Sequence, residues 1–270
     1  IPMMIISIDD DVKVILFVAI KWLFLGLFDE YFYKFYDNIF FPYLKEHNIK
    51  TLIHLGDVVD RRKYINYRIA HNFRHKFMQR LWQDKIDTHI LIGNHDIYYR
   101  NTNKVNAVQE LCTAPDGINE PFIYEEPKVV NFDGLNILMM PWMNPENEKQ
   151  CLEMLNTAPA EICMGHFDLN GFRMLDKMVQ THGYDKSIVS RFEKAFSGHF
   201  HHKSDDGQVY VIPSMTTANV SVYKKLTLNG NDARLRLMIR NIADERAPLA
   251  DGFFGFYSDI HRDEGRHYYL

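Results

Sequence analysis

Four times along this chain a short apolar run ends in a glycine, and the residue or residues directly after that glycine can bind a cation. The four are Gly56-Asp57-Val58-Val59-Asp60, Gly93-Asn94-His95-Asp96, Gly165-His166 and Gly198-His199-Phe200-His201. Glycine lets a strand end turn sharply and leaves room for an ion or phosphate close to the backbone. In open α/β folds, ligands collect in the crevice outside the carboxyl ends of the strands. Four such ends can therefore meet at one site.

The rest of the chain supports that architecture. Apolar runs at Met3 to Ile8, Thr51 to Leu55, His89 to Ile92, Leu135 to Met140, Ile162 to Met164 and Val209 to Ile212 read as buried strands. Helical stripes lie between some of them. Phe32, Phe35, Tyr36, Ile39, Phe40, Tyr43 and Leu44 form one, in which Pro42 should kink or end the helix. Ile65, Ile69, Phe73, Phe77 and Leu81 form a second. Alternation of this kind implies an α/β fold whose sheets are covered by helices. Near the C-terminus, Asn229-Gly230 between Tyr223 to Leu228 and the alternating Leu235, Leu237, Ile239 is a hairpin signal. Phe253 to Tyr257 and His267 to Leu270 suggest a second hairpin. We expect one domain over residues 1–270, with 214–270 a β-rich completion of the sheet.

Composition narrows the function classes. A formal net charge of −4 argues against binding nucleic acid or anionic membrane by bulk charge, so such a contact needs a local patch. Cys112, Cys151 and Cys163 are widely spaced and lack a CxxC pair, which fits a reducing compartment without a disulfide framework. Val14 to Phe28 is apolar apart from Lys21, yet it is shorter than the roughly 20 residues of a spanning helix. A buried core helix or strand is the expectation there, and a membrane or interfacial anchor the alternative. No membrane contact is expected overall.

Carboxylate, amide and imidazole without thiolate suit Mn, Fe or Zn in a mixed N/O site better than calcium or structural zinc. Two ions fit the donor set better than one, since Asp57 can bridge them through its two oxygens. Ions about 3.5–4 Å apart clamp a phosphate and absorb charge on the leaving oxygen, so phosphoester hydrolysis is the reaction served. Each motif alone also has a structural use. Gly56-Asp57 can cap a helix, Gly93-Asn94 can form a turn, and a lone histidine such as His166 is often only hydrogen-bonded.

In order, GDxxD, GNHD, GH and GHxH resemble the calcineurin-like metallophosphoesterases, over Ile49 to about Pro213. Gly56 to Lys63, Gly93 to Asp96 and Gly165 to Phe172 are most similar to SbcD-type DNA repair nucleases, in particular the recombination endonuclease subunits of large tailed bacteriophages. The resemblance implies a two-sheet β-sandwich flanked by helices in four layers. It implies a manganese-dependent DNA nuclease with two divalent ions, an SMC-like ATPase partner and, for a phage protein, the host cytoplasm. A homodimer is compatible with it. By the same resemblance Asp57 is the bridging ligand, Asn94, His166 and His199 hold one metal, and His201 serves the other. His95 matches the catalytic histidine, and Asp96 is placed to orient it.

The departure is at the front, where residues 1–30 are divergent. The family pattern opens with an Asp-x-His after the first strand, and this chain has Ser7-Ile8-Asp9-Asp10-Asp11. Asp9 or Asp11 can supply oxygen ligands there, with a change of charge and softness. Asp259-Ile260-His261 repeats the pattern inside a strand-turn-strand signal and is read as coincidence.

From Arg61 to Arg80 there are seven cations and no acid, which reads either as a phosphate-binding patch or as a solvated helix face. Arg61, Arg62 and Lys63, next to Asp60, are the candidate DNA contacts. Tyr64, Tyr67, Tyr98 and Tyr99 either stack on unpaired bases or pack against the core. Two alternatives to a nuclease remain: a phosphoesterase acting on a nucleotide or phosphoprotein, and a DNA- or partner-binding scaffold lacking the first metal motif.

Overall fold

The computed structural model describes residues 3–7, 13–17, 33–59, 62–113, 120–175, 178–200, 204–205, 209–211, 220–228, 231–240 and 267–269. One sheet has five strands in the order β1 (Met3–Ser7), β2 (Lys13–Phe17), β3 (Thr51–His54), β4 (Asp87–Leu91), β5 (Phe122–Tyr124). Here β2 to β5 are parallel and β1 runs opposite, paired to β2. The second sheet is built on β6 (Lys128–Phe132), β7 (Leu135–Met140), β8 (Ile162–Gly165), β11 (Lys194–Ser197), β12 (Ser204–Asp205) and β13 (Val209–Val211). Its order is β12-β13-β11-β8-β7-β6, with β7, β8, β11 and β13 parallel between antiparallel edges. A short ribbon, β9 (Arg173–Leu175) with β10 (Met178–Val179), follows β8.

Alternation of side chains along these strands sorts the core into three apolar layers. Ile53, Leu55 and Leu91 of one sheet meet Ile137, Met139, Met164 and Phe196 of the other, which makes the seam between the sheets. Their sequence neighbours Leu52, Ile90 and Ile92 face the other way, onto Tyr36, Phe40, Phe41 and Phe77. Those aromatics come from two helices, α1 over residues 33–46 and α2 over 67–83. Beyond the second sheet, Leu138, Met140, Cys163 and Ala195 pack on Cys151 and Leu155 of α4 (Glu148–Thr157). Helix α3 (Ala107–Cys112) sends Val108 and Cys112 into the first helical layer. Helix, sheet, sheet and helix are thus four layers, each fully buried side chain contributing roughly 1.5–3 kcal/mol.

The structure departs from sequence expectation at Pro42. Pro42 does not end α1, which continues to Glu46. The turn Tyr36–Phe40 is widened, with the Phe41 N–H donating to the Tyr36 carbonyl five residues back, and Pro42 sits in the first turn after it, where a missing N–H is tolerated. The apolar run from Val14 contributes its start to strand β2; the remainder, 18–28, lies outside the described residues. β14 (Val220–Leu228) and β15 (Asn231–Arg240) form the expected hairpin and β16 (His267–Tyr269) pairs with β15, while 253–257 lies outside the described residues. Among the described residues, no helix is long and apolar enough to cross a membrane.

Two histidines held neutral by the fold give an acid-sensitive stability. His54 is buried, its Nδ1 accepting the Gly56 N–H at 3.2 Å, and burial pushes its pKa down to about 3. His89, stacked between Phe122 and Tyr124, is pushed down to about 4 by burial. Both folded pKa values lie below the ordinary value of 6.5, so the unfolded chain binds more protons below that pH. Stability is present above pH 6.5 and lost as pH falls toward the folded values. From pH 7 to pH 5 each histidine is expected to withdraw about 2 kcal/mol. Urea unfolding in chelator at the two pH values checks this, with the slope smaller in His89→Gln; a midpoint flat across the interval contradicts it.

Candidate metal centre

The four motifs leave the carboxyl ends of β3, β4, β8 and β11, and the backbone ties those ends together. Trp142, after β7, donates its N–H to the Ile92 carbonyl of the other sheet at 2.7 Å. Gly198 N–H donates to the Gly165 carbonyl at 2.9 Å. The glycines make this closeness possible. A Cβ on Gly93 would lie 2.3 Å from Asp57 N, and one on Gly198 would lie 2.5 Å from the Leu55 carbonyl oxygen.

At that junction Asp57, His166 and His199 each bring one ligand atom, all within 4.8 Å of one another. Asn94 sits among them, its Oδ1 3.0 Å from His166 Nε2 and 3.1 Å from His199 Nδ1. Asp57 Oδ1 is 3.4 Å from His166 Nε2. His166 donates Nδ1–H to the Leu55 carbonyl at 2.7 Å, which leaves the Nε2 lone pair aimed at Asn94 and Asp57. Lone pairs of a carboxylate, an amide and an imidazole converging on one point repel unless a cation or proton lies between them. The donor set therefore fits a divalent metal ion. Two of these residues also stand in left-handed backbone, Asp57 at φ 58 and His199 at φ 78, where a non-glycine residue costs of order 1–3 kcal/mol.

Electrostatics point the same way. Burial opposes charge on both Asp57 and His166, yet their mutual attraction prevails. The His166 charge, with His95 assisting, holds Asp57 well below the usual carboxylate range, and Asp57 raises His166.

Asp96 ties the two loops of the centre together through their backbone. Its Oδ2 accepts the N–H groups of Asp57 and Gly93, both at 2.8 Å, and its Oδ1 accepts that of Val59 at 3.0 Å. One buried carboxylate thus fixes both loops that carry the ligands. Burial first and the Asp57 charge second push its pKa upward, against the pull of those N–H donors. His95 donates its own backbone N–H to Asp57 Oδ1 at 2.8 Å and keeps a half-buried side chain at the rim.

Of the residues read from sequence, Asp57, Asn94, His166 and His199 come together, with His95 and Asp96 beside them. His201, Asp60, Arg61, Asp9 and Asp11 lie outside the described residues, as does Asp259 to His261. Arg62 and Lys63 follow the Asp57 loop at the surface, with Arg62 within electrostatic reach of Asp57. The basic block divides. Arg80 pairs with Asp37 at 2.7 Å, Arg74 donates to the Thr113 carbonyl at 3.0 Å and Lys76 lies over the Tyr33 ring, so its distal half braces α2. Sequence reasoning missed Asp168, whose Oδ1 is 3.8 Å from His199 Nε2, and Trp142, whose ring is 5.3 Å from that of His199. An acid two residues beyond His166 was the available signal for the first.

The front of the chain differs from the sequence reading in strand polarity. Because β1 is antiparallel to β2, Ser7 stands beside Lys13, at the end of the sheet opposite His54 and Leu91. The strand whose carboxyl end shares the ligands' side is β2, with Phe17 beside His54. From Val18 to Phe32 the sequence has no histidine.

The family model for calcineurin-like phosphoesterases matches residues 28–203. Exonuclease subunit 1 of Enterobacteria phage T4 is 35% identical over 170 residues, covering 63% of this chain and 49% of that protein, so the chain spans about half the length of this curated relative. Among solved structures, GAP50, the anchor in the inner membrane complex of Plasmodium, is similar at a TM-score of 0.43 and 12% identity, over 78% of this chain and 72% of that one. A protein of unknown function from Aquifex aeolicus gives 0.31 and 16%, over 62% and 83%.

Proposed function

Because the chain belongs to the calcineurin-like phosphoesterase family, we propose that it is a metal-dependent DNA nuclease. The observation that carries this reading is the convergence of Asp57, Asn94, His166 and His199, whose donor atoms face one another at strand ends. The likeness to a phage exonuclease subunit supports a nucleic acid over other phosphoesters as the substrate.

In this reading Asp57, Asn94, His166, His199 and His201 would hold two divalent ions, manganese best matched. Bound divalent ions supply Lewis acidity toward the phosphate oxygens and lower the pKa of an attacking water. The protein's own groups do the rest. Asp96 fixes the Asp57 and Gly93 loops through three backbone N–H groups, so the ligand geometry precedes substrate. Leu55 fixes the His166 tautomer. His95, its main chain tied to Asp57, presents its ring at the rim to donate a proton to the leaving oxygen. Arg62 and Lys63 hold the phosphate backbone beside it. We take residues 1–270 as one phosphoesterase domain working in recombination or repair in a host cytoplasm, with an SMC-like ATPase and as a possible homodimer.

Purified protein with manganese is expected to cleave single-stranded DNA or duplex ends, and to lose that activity in chelator. Cleavage of a small chromogenic phosphodiester or a nucleotide with DNA untouched would shift the substrate to a small phosphoester. A second reading, a scaffold without full activity, is favoured by one observation: Ser7, the last residue of β1, stands at the end of the sheet opposite His54, whereas the family's first motif follows its first strand on the ligand side. Fewer than two ions per chain at saturating manganese, with no DNA cleavage, would select it.

A further inference from the structure

We infer that the surface beside the metal centre is a stacking platform for unpaired nucleobases, formed by Tyr98 and Tyr99 with Tyr64 and Tyr67. This rests on the nuclease reading and names the part of the substrate that the centre's neighbourhood takes.

Exposure is the first argument. Among the described residues the exposed large apolar side chains are Tyr64, Tyr67, Tyr98, Tyr99, Val105 and Phe122, and four of these six are tyrosines on two neighbouring segments. Tyr64 is 73% exposed and Tyr67 is 92% exposed. Single exposed aromatics are ordinary, but a cluster of them marks an interaction surface. Packing against the core, the other use the sequence allows for these rings, does not describe side chains so open to water.

The second argument is that the loop holding Tyr98 and Tyr99 is built rigidly from below. Ile97 is buried and bridges to Asn106. Tyr98 donates its N–H to the Val105 carbonyl at 2.9 Å. Asn103, buried beneath, donates to the carbonyls of Glu125 and Trp142, both at 2.9 Å, and Asn106 donates to the Asn103 carbonyl at 2.8 Å. The two rings meet edge to face, centroids 4.7 Å apart. Little freedom is left for a ligand to freeze out on binding.

Charge names the occupant. Lys63 Nζ lies 5.6 Å from the Tyr98 ring centroid, and Arg62 lies within electrostatic reach of both Arg100 and Asp57. Cations interleaved with open rings match a single strand, whose phosphates take the charge and whose bases take the rings. Both segments spring from the loops that Asp96 fastens, so the platform is continuous with the centre. A paired duplex offers no free base face and would use only the cations.

Equilibrium binding in chelator, with a fluorescent single-stranded oligonucleotide, tests this. Tyr98→Ala and Tyr99→Ala are each expected to weaken binding roughly tenfold, and Tyr→Phe at either position to restore it. The same oligonucleotide carrying abasic sites should bind the wild-type protein as weakly as the normal strand binds the alanine variants. An abasic strand bound as tightly as the normal one, or alanine variants with unchanged affinity, overturns the platform. Cleavage with manganese reports separately. A chain that cleaves DNA without this binding pattern refutes the platform alone, and one that shows the pattern without cleavage refutes the nuclease reading and leaves the platform standing.

Discussion

Asp57→Asn is expected to lower metal-dependent hydrolysis by more than about 100-fold, beyond what loss of a residue supporting a metal ligand costs. The substitution is chosen because it changes little else. Asparagine tolerates the left-handed backbone that Asp57 adopts at φ 58, and its amide oxygen can still accept the His95 N–H. What disappears is the charge. That charge raises the His166 pKa against the effect of burial, and in the loaded protein it offsets the ion's charge. Activity and bound manganese should therefore fall together, while a cooperative melt in chelator persists. Full activity in the variant would place the reaction elsewhere.

How far this centre could be read in advance depended on the range of the signal. Glycine followed by a ligand at the end of an apolar run is local, and the strands before Asp57, Asn94, His166 and His199 form where that signal places them. Alternating strand and helix signals implied sheets covered by helices, and the four layers followed from the family resemblance. Cross-chain partners were not legible. Asp96 follows its motif histidine, yet two of its three bonds go to Asp57 and Val59, at sequence separations of 39 and 37 residues. Nothing in the sequence near either end announces that.

Strand polarity was hidden for a related reason. The run Met3 to Ile8 has the apolar character of a first strand, and its acidic sequel looked like a replacement ligand loop. Pairing decides direction, and β1 pairs antiparallel to β2, so the end of β1 is carried away from the ligands. The basic block failed to read as one surface because composition does not say which partner each cation meets. Asp37 takes Arg80 from a helix far earlier in the chain. The tyrosines carried the converse ambiguity, since only accessibility separates a packing ring from a stacking one.

Gly93→Ala should be nearly as damaging as loss of Asp57, although it removes no functional group. Ordinarily glycine to alanine stabilises by about 0.4–1 kcal/mol through the unfolded chain. Here the added methyl would lie 2.3 Å from Asp57 N and 2.4 Å from Asp57 Oδ1, with the Gly56 carbonyl carbon at 3.0 Å. Backbone on both sides cannot fold away as a flexible side chain would, and overpacking of this kind typically costs 1–3 kcal/mol. The clash therefore outweighs the entropic gain. Relief requires Asp57 to move, and a displacement of about 1 Å at a reacting centre can cost on the order of 100-fold in rate. The variant should stay folded, melt lower in chelator and bind less manganese. Combined with Asp57→Asn it should add little further loss of activity, because both substitutions act through the same carboxylate. Additive losses in the double variant, or wild-type rates in Gly93→Ala, would mean that the two loops slide past each other freely and that the position of Asp57 is not set by this contact.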